Sequence, residues 1–208
     1  GVITARGGIN VTGGDFNPLI NKLPVKMYQP INVKLGDTLK LNNTINGARC
    51  YIAISGGLKV KSIFGSKSFF SNITDSYFLK KNDEIKVSKK SKNKILKWDR
   101  FNFKLNRSIE VFKGPEFDLL SINSKNKLFK NEFTISTNNR MAYNLVEKLQ
   151  VGTKSIISSP VLPGSVQLTP SGKMIILHRD CQTTGGYPRI LQLNISSLNY
   201  LSQLKSTD

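Results

Sequence analysis

Histidine is almost missing from this sequence: the 208 residues contain one, His178. A serine or cysteine nucleophile that needs a histidine base would have to recruit that residue. It closes the apolar run Met174-Ile175-Ile176-Leu177, where a packed or surface strand position is the ordinary reading. Cysteine is nearly as scarce, with only Cys50 and Cys181. Zinc sites built on His or Cys pairs are therefore absent, HExxH included, and there is no disulfide framework. Cys50 lies in Cys50-Tyr51-Ile52-Ala53-Ile54 and reads as a small buried hydrophobe. Reducing conditions, hence a cytoplasmic location, are expected. No GxxxxGK[ST] phosphate loop and no helix-opening GxGxxG occurs, which removes the two common nucleotide folds. No apolar run approaches the ~18–20 residues of a membrane-spanning helix, so no membrane partner is expected. An enzyme built from this chain has carboxylates, hydroxyls, arginines and backbone amides to work with.

Acidic residues are the other shortage. Thirteen Asp and Glu stand against 31 Lys and Arg, giving a formal charge of +18 and a pI near 10.0. Such a balance suggests nucleic acid or an anionic surface as partner. The basic residues are 24 Lys but only 7 Arg, whereas bidentate recognition of bases and phosphates favours Arg. Asn is abundant as well, at 20 residues. The joint excess reads as solvated surface, and no nucleic-acid partner is expected. The densest stretch, residues 80–100, holds nine basic and three acidic side chains. Its run Lys89-Lys90-Ser91-Lys92-Asn93-Lys94 is expected to be an exposed loop between strands.

What the sequence does have in quantity is β-pattern. Short β-branched or alternating runs, broken by Gly, Asn, Asp and Pro, predict strands at 24–28, 31–34, 38–42, 49–54, 84–87, 95–98, 101–111, 132–136, 166–169 and 174–178. This spacing suits an antiparallel barrel or sandwich. Helical signals are few. Leu198, Leu201 and Leu204 fall on neighbouring positions of a short helix, with Ser196 or Ser197 as its N-cap. Residues 118–121 fit one further helical turn. A weak division near residue 110 suggests two lobes, 1–108 and 109–208.

One stretch gathers chemistry: Arg179-Asp180-Cys181-Gln182-Thr183-Thr184-Gly185-Gly186-Tyr187-Pro188-Arg189. Paired glycines let backbone take positive φ and bring N–H groups close to an anion. Asp180 could orient or accept a proton, and Arg189 could neutralise a carboxylate or phosphate. A tight hairpin stabilised by Asp and Thr side chains explains the same residues equally well. Asn138-Asn139-Arg140-Met141-Ala142-Tyr143 is a second polar cluster, for which turn and capping chemistry is the plain reading.

These residues resemble the family of 5-oxoprolinase C-type subunits, also described as biotin-dependent carboxyltransferase-like or allophanate-hydrolase-subunit-2-like proteins. The family's NRMGYRL is similar to Asn139-Arg140-Met141-Ala142-Tyr143-Asn144-Leu145. Its most specific pattern resembles Ser159, then Gly164-Ser165-Val166-Gln167-Leu168-Thr169-Pro170-Ser171-Gly172, then Asp180 through the DxQTTGGYP run to Pro188. Upstream, Thr12-Gly13-Gly14-Asp15-Phe16 looks like the family's TGA(D/N) turn. Gly47-Ala48-Arg49-Cys50-Tyr51-Ile52-Ala53 with Gly56-Gly57 looks like its GxRxYLAxxGG, and Phe64-Gly65-Ser66-Lys67-Ser68 like its LGSRST. Gly114-Pro115 stands where the family has RVLxGP.

The departures are specific. The family's earlier TxQDxGR and AMD motifs do not occur, and the chain stops soon after Leu204, where a last strand would follow. The expectation is a partial chain. Ala142 stands where Gly is usual and Asn144 where Arg is usual. Residues 70–76 replace a Gly-rich stretch.

The resemblance implies a mainly β, cyclophilin-like antiparallel β-barrel architecture in two related lobes with few short helices. It implies a subunit of an ATP-dependent lactam hydrolase that opens 5-oxoproline to glutamate. Its partners would be a second barrel protein, the B-type subunit of 5-oxoprolinase, and a third, the A-type subunit. ATP and Mg2+ would be cofactors of the complex, with nucleotide binding among the implied properties. Asp180, Gln182 and Arg140 would be the catalytic residues. Arg49, Asn139, Tyr143, Thr183, Thr184, Gly185, Gly186, Tyr187 and Arg189 would bind the small-molecule substrate. Cations and backbone donors around developing negative charge suit such chemistry. Two alternatives remain: biotin-dependent carboxyl transfer to urea or another amide, and a non-catalytic regulatory role toward a partner resembling a kinase inhibitor.

Overall fold

A computed structural model describes residues 7–70, 72–74, 79–88, 108–150 and 155–206. The expected strand at 95–98, the first part of the one at 101–111 and the Lys89–Lys94 loop lie outside the described residues. The chain divides into two units, Gly1–Asn46 with Cys50–Phe101, and Gly47–Arg49 with Asn102–Asp208.

In the first unit, β1 (Gly7–Asp15), β2 (Leu19–Ile20), β3 (Leu23–Pro24), β4 (Ile31–Val33), β5 (Leu39–Lys40) and β6 (Asn46–Ile54) form two three-stranded antiparallel sheets, β4-β1-β6 and β3-β2-β5. The TGGD segment expected to be a turn lies within β1 and is a kink: the β1–β6 register shifts between Gly13 and Asp15. Gly13, at φ +90°, supplies the left-handed backbone there. Tyr28 locks the bend, accepting from the Gly13 amide at 3.1 Å and donating to the Gly13 carbonyl at 2.5 Å. Of the expected strand at 24–28 only Pro24 lies in a strand, and Tyr28 itself turns at φ +64°. The run 84–87 contributes a single bridge, Leu58 to Val87.

The second unit carries β7 (Val111–Lys113), a 3-10 turn at Phe117–Leu119, α1 (Ile122–Lys130), β8 (Ile135–Asn138), β9 (Ala142–Lys148), β10 (Ser159–Pro160), β11 (Ser165–Leu168), β12 (Lys173–Leu177), β13 (Thr184–Gly185), β14 (Arg189–Leu193) and α2 (Ile195–Leu201). Six strands form one antiparallel sheet in the order β7-β14-β11-β12-β9-β8, and β10 pairs with β13 in a short ribbon. All four residues of β11 are buried, as expected of an interior strand covered on both faces. Tyr143, Leu168, Met174, Ile190 and Leu201 centre its core, each worth about 1.5–3 kcal/mol of burial.

The expected barrel is not formed. Among the described residues no sheet closes: β7 and β8 are the outer strands of the six, and each pairs on one side only. The segment joining them explains why. Phe117, Leu120 and, more loosely, Leu128 from the 3-10 turn and α1 join the core, as do Leu198 and Leu201 of α2. Helices thus cover the apolar face that closure would otherwise have to cover.

The C-terminal helix begins earlier than its serines suggest. Asn194 is the N-cap, accepting from the Ser197 amide at 2.7 Å, while Ser197 Oγ accepts from the Glu110 amide at 2.8 Å. Among the described residues no helix is long and apolar enough to cross a membrane.

Candidate functional site

The hairpin joining β8 to β9 starts the site. Asn139 Oδ1 accepts from the amides of Met141, at 2.8 Å, and Ala142, at 3.0 Å, an Asx-type turn that the Asn codes for locally. Beyond the end of β12 the ladder continues: the His178 amide donates to the Met141 carbonyl at 2.8 Å, and the Asp180 amide to the Arg140 carbonyl at 2.9 Å. That register sets Arg140 directly against Asp180. Arg140 Nε and Nη2 clasp the two carboxylate oxygens at 2.5 and 2.9 Å. The hydrogen bond from Arg140 holds the Asp180 carboxyl below its ordinary range, against an opposing desolvation. Asp180 is therefore an ionised acceptor at neutral pH, not a proton donor. The Arg140 side chain remains 69% exposed and Asp180 33%, so a ligand can reach both.

Beneath this pair lies an aromatic stack. Tyr143 is wholly buried, and its hydroxyl accepts from Arg49 Nη1 at 2.6 Å. The Arg49 guanidinium carbon sits 5.7 Å from the Tyr143 ring centroid, and the His178 ring lies 5.3 Å away on a tilted plane. Arg49 is anchored by the end of α2: it donates to the Ser202 carbonyl, and Gln203 Oε1 accepts from the amides of Ala48 and Arg49 at 3.1 and 3.0 Å. Burial pushes the His178 imidazole down to about 4, and the charges of Arg49, Arg179 and Arg140 add to that; Asp180 opposes it. His178 is thus neutral at pH 7 and poorly matched to the work of a general base.

The run from Gln182 to Pro188 forms a loop clamped on both flanks. Ser159 faces Gly185 and Pro160 faces Thr184 across the β10–β13 ribbon, and the Ile156 amide donates to the Gly186 carbonyl at 2.9 Å. Neither Gly185 nor Gly186 has positive φ; their use is not the left-handed backbone inferred from sequence. Gly185 sits at a close approach, since a Cβ there would fall 2.5 Å from Nε2 at the end of the Gln167 side chain, which would have to shift. That buried amide spans to the Tyr187 carbonyl at 3.3 Å, and its Oε1 accepts from Gln182 Nε2 at 3.4 Å. Gln182, Thr183, Thr184 and Tyr187 are exposed.

Arg189 stands apart from these groups. Its amide and its Nε donate to Glu116 Oε2 at 2.8 and 2.9 Å, its Nη2 to Glu116 Oε1 at 2.7 Å, and its Nη1 to the Pro160 carbonyl at 2.8 Å. The side chains are only 20% and 16% exposed. The Arg189 hydrogen bond holds the Glu116 carboxyl below its usual range. This guanidinium braces the loop from behind.

The structure therefore brings together Arg49, Asn139, Arg140, Tyr143 and Asp180, sets the Gln182–Tyr187 loop immediately after them in the chain, and commits Arg189 to Glu116. Sequence reasoning missed Glu116, which is 73 residues away from its partner; His178, expected at a packed or surface position, is the packed one. Gln167 was in the motif without a role. Of the two substituted motif positions, Ala142 is a ladder residue opposite Leu177, and Asn144 Nδ2 donates to Thr137 Oγ1 at 3.0 Å.

A fixed carboxylate acceptor paired with a guanidinium donor suits an amide group, which presents N–H and C=O side by side. It does not suit a nucleotide with its metal. Among the described residues no group of three or more His, Cys, Asp or Glu side chains could hold a metal ion, which overturns the expectation that this chain is itself nucleotide-binding.

The model of the carboxyltransferase domain, subdomains A and B, matches residues 3–208. The C-type subunit of the Escherichia coli K12 5-oxoprolinase is 28% identical over 179 residues, covering 83% of this chain and 58% of that protein. Its namesake in Haemophilus influenzae is 27% identical over 204 residues, covering 94% and 65%. The chain thus spans about three fifths of the length of these relatives. The crystal structure of the K. lactis urea amidolyase superposes with a TM-score of 0.83 at 21% identity, over 100% of this chain and 14% of that one; this is likeness of fold.

Proposed function

The chain belongs to the carboxyltransferase-domain family, subdomains A and B, and from that membership we propose that it serves as a C-type subunit of a 5-oxoprolinase complex, binding the lactam that the complex opens to glutamate. The observation that carries this reading is the Arg140–Asp180 pair, held at 2.5 and 2.9 Å with both side chains reachable from solvent. Ionised Asp180 accepts the lactam N–H. Arg140 and Gln182 donate to the carbonyl oxygen and to the negative charge that grows there as water adds; collapse of that adduct breaks the ring C–N bond, and a proton from the added water passes to the departing nitrogen. Asn139 and Tyr143 hold the hairpin that presents Arg140, and Gly185 lets Gln167 position Gln182. The likeness to 5-oxoprolinase C-type subunits over most of this chain supports the choice of lactam and of B-type and A-type partners. No nucleotide site is assigned to this chain.

The test combines the full chain with its partner subunits, supplies 5-oxoproline and ATP, and measures glutamate. Asp180→Asn keeps the shape and removes the charge; turnover is expected to fall by about 100-fold or more. An unchanged rate would return the pair to a purely structural role. Biotin-dependent carboxylation of urea or another amide, with no glutamate formed, would replace the lactam reading.

A further inference from the structure

His178 is an ionisable side chain near the site for which lactam binding has no use, and its surroundings are unusual. It is 7% exposed, and among the described residues neither Nδ1 nor Nε2 has a hydrogen-bond partner. A neutral imidazole carries one donor and one acceptor, and leaving a buried polar group unmatched costs about 1–3 kcal/mol. The charges around it are also unbalanced. Arg49, Arg140 and Arg179 act on the ring, with Asp180 as the opposing charge. Arg49 reaches it through the Tyr143 stack, Arg140 and Asp180 through the ladder at Met141, and Arg179 is adjacent in the chain, its Nη2 donating to Asn199 Oδ1 at 2.9 Å. Three guanidiniums against one carboxylate leave an excess of positive charge beside two idle ring nitrogens.

We propose that His178 is the inner hydrogen-bond donor of a carboxylate-binding subsite whose positive field comes from Arg49, Arg140 and Arg179. The subsite deepens the lactam reading and rests on it for the identity of the ligand, since 5-oxoproline carries a carboxylate as well as its ring amide. Asp180 and Arg140 would then hold the ring amide while His178 takes one carboxylate oxygen through its N–H. Arg179 is exposed, and its long side chain would move aside to admit the ligand while Arg140 stays on Asp180. A neutral donor in a positive field binds an anion at neutral pH without having to take up a proton, a use of imidazole known where a histidine's basicity is suppressed.

The chain has a single histidine, so its ring signals in a nuclear magnetic resonance spectrum need no assignment and no variant. The full chain is titrated with 5-oxoproline, with acetate, and with 2-pyrrolidinone, which keeps the lactam and lacks the carboxylate. Both carboxylates should move the His178 signals and raise its titration midpoint by about one to three pH units, as a nearby opposite charge does; 2-pyrrolidinone should leave the midpoint in place. Acetate acting where 5-oxoproline does not would keep the subsite and remove the lactam reading. A ring indifferent to both carboxylates, as one hydrated by a single buried water would be, overturns the proposal. Equal shifts from 2-pyrrolidinone overturn the carboxylate assignment. In the assembled complex, His178→Ala should raise KM for 5-oxoproline about tenfold or more with a smaller effect on kcat, and His178→Gln, which restores a donor, should recover part of that loss.

Discussion

The two units are made of similar short antiparallel strands, yet they bury side chains very differently. Of the 21 buried apolar residues among the described ones, Ile9, Val11, Tyr28 and Val33 belong to the first unit and the rest to the second. The first leaves Phe64 94%, Leu23 70% and Leu79 66% exposed. The second covers its six-stranded sheet with a 3-10 turn and two helices. Every candidate site residue falls in the second unit, Arg49 included, because Gly47–Arg49 of β6 belong to it. Chemistry and tight packing thus share one core. Substitutions should be costly in that unit and cheap in the other, and local opening should begin in the first.

A pair of glycine substitutions tests this most severely. A Cβ on Gly114 would sit 2.1 Å from the Arg189 carbonyl oxygen and 2.7 Å from its carbon. Both are backbone atoms of an interior strand and have no room to yield. Gly114→Ala is expected to lower stability by about 3 kcal/mol, as an overpacked core does. Gly7 in β1 has nothing within 4 Å of the same added carbon and no positive φ. Gly7→Ala should change stability by less than about 0.5 kcal/mol. Urea unfolding of both variants measures the contrast, and similar losses for the two would show that the first unit is packed as tightly as the second.

Acid provides a milder discrimination, because the sole histidine lies in the second unit. Its folded midpoint, about 4, is below that of an unfolded histidine, near 6.5. Below pH ~6.5 the unfolded chain takes up a proton that the folded chain refuses, so stability falls as the pH drops from 6.5 towards 4. Above 6.5 this group contributes no slope. The full loss is about 3 kcal/mol, from 1.36 kcal/mol per pH unit. Asp180 and Glu116, both held low in the fold, add their own loss only below the ordinary carboxylate range. Unfolding midpoints at pH 7, 5.5 and 4.5 should decline, and His178→Gln should flatten the decline. Hydrogen-exchange protection, corrected for the slower intrinsic exchange in acid, should fall at pH 5 in the second unit; an equal fall in the first would break the distinction.

How far these differences were legible in the sequence depends on range. β4, β6, β11 and β12 were readable because β-branched runs declare themselves locally. α1 was not: Asn123, Lys125, Asn126 and Lys127 give no apolar stripe, Ile122 and Phe129 are exposed, and its one cue is Ser121, whose side chain accepts from the Ser124 amide. The leucine stripe suggests too late a start for α2 because it runs on to Leu204, whereas the helix ends at Leu201. Closure of a sheet is decided by a pairing between distant strands that no local pattern encodes, and so the barrel was expected where helices cover the sheet instead. The same limit applies to the site. The side-chain types around Asp180 pointed to anion and amide chemistry, while Glu116 bracing Arg189 and Tyr143 holding Arg49 are contacts across many tens of residues.

The smallest expected effect gives the finest test of the permissive first unit. Residues 63–66 form a tight hairpin: the Ile63 amide donates to the Ser66 carbonyl at 2.8 Å and the Ser66 amide returns the bond at 2.9 Å. Its two corner residues, Phe64 and Gly65, have φ of +49° and +77°. Such a corner favours Asn-Gly, and a bulky side chain at the first position carries left-handed strain of about 1–2 kcal/mol. Phe64 gains nothing to offset it, being 94% exposed. Phe64→Asn should therefore leave stability unchanged or raise it by about 0.5 kcal/mol, since part of the relief is lost to the unfolded ensemble. Chemical denaturation at neutral pH reads this directly. A loss of more than about 1 kcal/mol, beyond what surface changes give, would mean that Phe64 packs against something in solution, and the first unit's open apolar surface would then have to be counted as covered.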